Sequence, residues 1–133
     1  MGKYEALSKD IFGVFGTAEW IAENIKTYPS NYVGVDAGNR YIRVQVLPQG
    51  SGLNLKSASG QVLIDIFTPA GSGPLDATLI ADRLDAYLVG KSKMTEAGVT
   101  QLDRSSFTCV GQDKVNPALY KSQYAIPFNF FGV

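Results

Sequence analysis

The chain has 133 residues, one domain's worth of length and enough to bury roughly 68% of the surface that its unfolded form exposes, so one hydrophobic core suffices. Lys and Arg number 12 and Asp and Glu 12; this zero formal charge argues against a nucleic-acid coat or a polybasic membrane binder, which work through excess cation. Histidine, the usual general base near neutral pH and the commonest metal ligand, is absent, and the one cysteine excludes an intrachain disulfide and a cysteine-cluster zinc site.

Charged residues make up 18% of the chain and aromatics 11%, a balance that fits either an unusually apolar monomer surface or, as the aromatics favour, surface covered by a partner. No apolar run approaches the ~18 residues of a membrane span. Met1 to Asp10 carries polar residues throughout, unlike a secretory signal, so the expected setting is a cytoplasm or a particle assembled there.

In chain order, Tyr4, Leu7, Ile11, Val14 and Phe15 recur at helical spacing, and Gly16 follows as a stop, which predicts a helix over Lys3 to Phe15. Ala18 to Ile25 reads as a short strand, with a continuing helix as the alternative. Tyr28 to Asn31 and Asp36 to Asn39 carry turn residues. Arg40 to Pro48 alternates as a strand, with Ile42, Val44 and Val46 on one side and Tyr41, Arg43 and Gln45 on the other. Gln49 to Gly60 is rich in Gly and Ser and reads as a long, mobile connection. Gln61 to Thr68 is the next strand; its second face, Leu63, Asp65 and Phe67, is only half polar.

Pro74 suits the first position of a helix reaching about Val89, with Gly90 as its cap. Ala77, Ile80, Ala81, Leu84, Tyr87 and Leu88 fall on one stripe, about 120° wide, that faces the core. Leu75, Leu79 and Ala86 gather on the opposite side beside Asp82 and Arg83, as a candidate subunit interface. Ser105 to Gly111 and Leu119 to Phe130 read as strands, and Pro127 puts the second at an edge or a bulge. The expected fold is a single α+β domain over residues 1–133: a mostly antiparallel sheet of four to five strands with two helices packed on one face.

No catalytic residue, cofactor site or metal site is predicted. Cys109, on a strand, reads as a small buried hydrophobe. Asp65 faces Arg43 if their strands pair antiparallel, a cross-strand ion pair in place of a catalytic acid. Gly50-Ser51-Gly52 and Gly71-Ser72-Gly73 lack the ending of a phosphate-binding loop.

Several phrases in order resemble the tail terminator proteins of long, non-contractile-tailed bacteriophages. They are Glu23-Asn24, the strand Tyr41-Ile42-Arg43-Val44 running to Leu47-Pro48, the Gly-rich loop, and Ile64-Asp65-Ile66-Phe67-Thr68-Pro69-Ala70-Gly71 with Gly73. The helix from Pro74 to Leu88 and the closing strand through Ile126-Pro127-Phe128 extend the resemblance over nearly the whole chain. One departure is Ala22, where such proteins often carry an aromatic residue before the Glu-Asn pair.

The resemblance implies a structural protein of the virion tail: a homo-oligomer, six subunits in a ring, that caps the tail tube protein and presents a surface to a head-completion or neck protein. It implies no nucleic-acid specificity and no membrane. Gly52, Leu53, Asn54, Leu55 and Lys56 are then candidates to touch the tube, with Arg40 and Arg43 as further cations for its acidic groups. Another tail or neck ring component, such as a completion or tube-related protein, is the alternative. A small enzyme using carboxylates such as Asp65 and Asp82 is the remote one.

Overall fold

The computed structural model describes residues 2–29, 40–51, 55–69, 74–95, 98–112 and 119–132. In chain order the elements are α1 (Lys3–Phe15), α2 (Ala18–Ala22), β1 (Lys26–Pro29), β2 (Tyr41–Ser51), β3 (Ala58–Pro69), α3 (Pro74–Leu88), β4 (Ser92–Thr95), β5 (Gly98–Leu102), β6 (Ser106–Gln112) and β7 (Leu119–Gly132).

Helix α1 buries Leu7, Ile11, Val14 and Phe15 together with Ala6, while Tyr4 stays 56% exposed. Asp10 also lies on the buried face. There it accepts a 2.6 Å hydrogen bond from Thr100 Oγ1 of β5, which satisfies a carboxylate that would otherwise be costly to desolvate. The expected strand at Ala18–Ile25 is instead α2, because Thr17 caps it: Thr17 Oγ1 accepts from the Trp20 backbone N–H at 3.3 Å. Asn24, at φ +60°, then turns the chain into β1; Asn tolerates that left-handed conformation better than most residues.

The strands form one seven-stranded sheet in the order β1-β2-β3-β7-β5-β4, with β6 also on β7. Strand β1 runs parallel to β2, and the other pairs are antiparallel. The sheet is therefore larger than the expected four to five strands, mixed in direction, and curled into half a barrel. The strands not expected are β1 and β4, of four residues each, and β5, of five, all too short for alternation to show. The expected connection over Gln49–Gly60 is also shorter, since β2 and β3 stay paired out to Ser51 and Ala58.

Strand β7 is interior, with β3 on one side and β5 and β6 end to end on the other. Pro127 sits opposite the break between β5 and β6, where its carbonyl accepts from the Asp103 N–H at 3.0 Å. In a strand a residue's N and O point to the same side, so the missing N–H of Pro127 falls on the edge where no partner strand asks for it.

Period-2 alternation sends Ile42 and Val44 of β2, Val62, Ile64 and Ile66 of β3 and Tyr124, Ile126, Phe128 and Phe130 of β7 to the inner face. They pack against α1 and against Ala77, Ile80, Ala81, Leu84 and Leu88 of α3. The outer face has its own small cluster. Tyr41 stacks on Phe67 at 4.6 Å, Tyr28 meets Tyr41 edge-on, and Leu119 joins them. The half-polar second face of β3 is thereby partly covered from within the chain.

Candidate functional site

The apolar side of α3 that the core does not use stands in solvent. Leu75 is 68% exposed and Leu79 51%, and Ala86 is exposed on the same helix face. Arg83 does not point away freely: its Nε lies 3.4 Å from Glu23 Oε2, and Tyr87 Oη donates to Glu23 Oε1 at 3.2 Å. Glu23 thus ties the end of α2 to the flank of α3. At the other end Arg40 lies 3.4 Å from Asp76. Between these ties a groove of about 260 Å³ is lined by Glu23, Ile25, Arg40, Leu79, Ile80 and Arg83. It is open, and it shares Leu79 with the exposed stripe.

The candidate tube-contacting residues fall in two groups. Gly52, Leu53 and Asn54 lie outside the described residues. Leu55 and Lys56 form the turn entering β3, and Leu55 is 95% exposed. That turn is anchored from beneath. Lys3 Nζ donates to the Leu55 and Ser57 carbonyls at 3.2 and 3.3 Å, and the Gly132 N–H donates to Ser57 Oγ at 3.0 Å.

Arg43 pairs in register with Asp65, with their side chains 3.7 Å apart on the outer face; Lys121 approaches Asp65 at 3.9 Å. The guanidinium also lies over the Phe67 ring, 4.8 Å from its centroid. All three charged groups are about a quarter to a third exposed, so each ion pair is worth only about 0.2–1 kcal/mol. Asp82 sits on α3, across the sheet from Asp65, so these two carboxylates do not converge on one substrate. Among the described residues no cluster of three or more Asp, Glu, Cys or His could hold a metal ion.

Cys109 is exposed, which corrects the expectation of a buried hydrophobe. Strand β6 runs along the first half of β7, and most of its side chains remain in solvent. Sequence reasoning also missed the node at Asp85, whose Oδ1 accepts from Tyr124 Oη at 2.6 Å and from Ser105 Oγ at 2.5 Å. This carboxylate joins α3 to β7 and to the break between β5 and β6. Nothing in helical periodicity marks an aspartate as a clamp to a distant strand.

Burial and, next, the bond to Asp85 push the Tyr124 hydroxyl well above the ordinary phenol range. The folded state therefore prefers the neutral phenol. Its contribution is fully present below the unfolded value of ~10 and is lost as pH rises through it towards the raised folded value. Tyr124→Phe is expected to destabilise the protein by about 1–2 kcal/mol at pH 8 and to flatten the loss of stability above pH ~10. Urea unfolding midpoints at the two pH values test this; an unchanged alkaline slope refutes it.

No family model matches the chain, and no curated protein does. A solved structure whose designation describes no activity matches with a TM-score of 0.59 over 96% of this chain and 92% of that one. At 14% identity that likeness concerns the fold alone. No described helix is long and apolar enough to cross a membrane.

Proposed function

We propose that this protein is a structural tail component, a ring-forming subunit that caps a phage tail tube and offers its other face to the head-joining apparatus. The observation that carries the reading is the exposed stripe of α3. Leu75 and Leu79 lie side by side in solvent on a well-packed helix, in a chain with few charges. Apolar surface of this kind marks a protein contact. The ordered phrases from Glu23-Asn24 to Ile126-Pro127-Phe128 resemble those of tail terminators, which supports the reading, and a heterologous contact that closes by rotation makes a ring. In this reading the copies number six, Leu55, Lys56 and the residues before them meet the tube, and the work is done in the virion tail after assembly in the host cytoplasm. No reaction is catalysed.

Electron microscopy of the protein mixed with the tube protein of the same phage tests this. Capped tubes of uniform length support a terminator. Incorporation along the tube supports the tube-related alternative, and tubes left unbound and unlimited refute both. Leu79→Asp places a charge in the stripe and is expected to abolish oligomers while the circular dichroism spectrum stays native, since Leu79 is half exposed. An unchanged mass by light scattering, alone and on tubes, removes the stripe from the interface.

A further inference from the structure

We infer that the groove on the flank of α3 is one part of a longer trough that takes an acidic, apolar peptide segment of a different protein. The inference goes beyond the ring reading and does not need it. A second hollow, of about 250 Å³, adjoins the groove. Its floor is Phe15, Trp20 and Ile25, all buried, while Ile21, 66% exposed, and Lys26 stand at its rim. Ile25 lines both hollows, so they follow one another past the start of β1, from the end of α1 to Leu79 and Ile80 of α3.

Size selects a peptide. Small-molecule pockets run from about 300 to 1,000 Å³, so each hollow falls short of one and suits a single side chain. Two hollows joined at one isoleucine suit two apolar side chains of the same segment. Nucleic acid is a poor occupant, because too little of Phe15 and Trp20 is exposed for a base to stack on.

Charge selects the acidic segment. Lys26, Arg40 and Arg83 line the trough, against Glu23 alone. Asp76 holds Arg40 without lining either hollow, and with it counted the cations still exceed the acids. Glu23 already meets a donor at each oxygen, Tyr87 Oη at one and Arg83 at the other. Each guanidinium, by contrast, uses one nitrogen on its carboxylate at 3.4 Å, Nη1 for Arg40 and Nε for Arg83. A guanidinium carries five N–H donors and takes a carboxylate through two of them at once, so the exposed Nη groups of Arg83 suit an incoming acid. The same sign disfavours a second copy as the occupant. The most exposed large apolar side chain among the described residues, Leu55, adjoins Lys56 in its turn.

The test selects binders to the full chain from a library of random heptapeptides. The selected peptides are then synthesised, labelled with fluorescein and titrated by anisotropy. The expected result is enrichment of peptides that carry Asp or Glu beside Leu, Ile or Phe. Their binding is expected to shift the emission of Trp20, the chain's single tryptophan, and to weaken about tenfold or more in Arg83→Gln and at raised salt. Ile21→Asp, at an exposed rim position, is expected to weaken it similarly while the circular dichroism spectrum stays native. Binders without acids, or binding that leaves Trp20 emission and the Arg83→Gln affinity unchanged, overturn the inference. A library that yields no binder overturns it too, and leaves the ring reading standing. Self-association that displaces the peptides and weakens in Arg83→Gln makes a second copy the occupant, which overturns the different protein.

Discussion

Trp20→Ala is expected to lower the free energy of unfolding by about 3–5 kcal/mol, a large part of the stability of a domain this size. Trp20 is 1% exposed and is the meeting point of three elements. Its ring stands edge-on to Phe15 of α1 at 5.1 Å and to Tyr87 of α3 at 5.2 Å, and its Nε1–H donates to Thr27 Oγ1 of β1 at 2.8 Å. The five-residue helix α2 is too short to hold itself, so this anchor is what keeps it folded. Truncation opens a cavity between α1 and α3 and frees the β1 edge. Trp20→Phe keeps the ring contacts and loses the hydrogen bond, so about 1–2 kcal/mol is expected from it. Because Trp20 is the chain's single tryptophan, far-ultraviolet circular dichroism in urea is the suitable probe. A loss below about 1 kcal/mol for the alanine variant shows that the site collapses around the gap.

Periodicity made the two long helices legible. The run from Tyr4 to Phe15 and the stripe from Ala77 to Leu88 each span about three turns, and the boundaries Lys3–Phe15 and Pro74–Leu88 follow from Gly16, Pro74 and Gly90. The long strands were legible for the same reason. Alternation put Arg43 and Asp65 on the non-core sides of β2 and β3, and a register set by the hydrophobic pattern brings them opposite each other. The elements that were not legible are short or depend on distant partners. Strand β4 is four residues with a lysine inside it, and it takes its place because β5 pairs with it. Strand β1 pairs parallel with β2, which local spacing does not reveal. The signal available for α2 was Thr17 three residues before Trp20, a cap that outweighs weak strand alternation.

The same distinction separates an exposed helix face from a sheet edge. The leucine stripe of α3 was visible because a helix has a fixed period, and residues left over from the core stripe must point elsewhere. The β4 edge was invisible because an edge is a property of the whole sheet order. Strand β7, with its many aromatics and Pro127, reads from sequence as an edge or a bulge. In the fold it is paired on both sides, and Phe128 and Phe130 fill the core.

Gly132→Ala is expected to act on that fold and on the candidate tube contact together. A Cβ at Gly132 overlaps the carbonyl group of Lys56, a backbone group with little room to move. Gly98, paired with Gly132, is equally confined: at φ +154° its own Cβ would overlap the Phe131 carbonyl oxygen. Three backbone segments therefore meet where only hydrogen atoms fit. A methyl group at 132 forces β7 away from the turn at residues 55–57 and breaks the bond from the Gly132 N–H to Ser57 Oγ. The expected cost is about 1–3 kcal/mol. Hydrogen exchange is expected to quicken at Ala58 and Ser59 while the amides of Ile64 and Ile66, deep in β3, stay protected, because the damage is at the sheet's end. Lys3 still reaches Leu55 and Ser57 from α1, so the turn loosens without being released. If this turn meets the tube, the variant caps tubes poorly at a temperature where it remains folded. Normal capping by a folded Gly132→Ala protein with quickened exchange shows that the tube contact lies elsewhere.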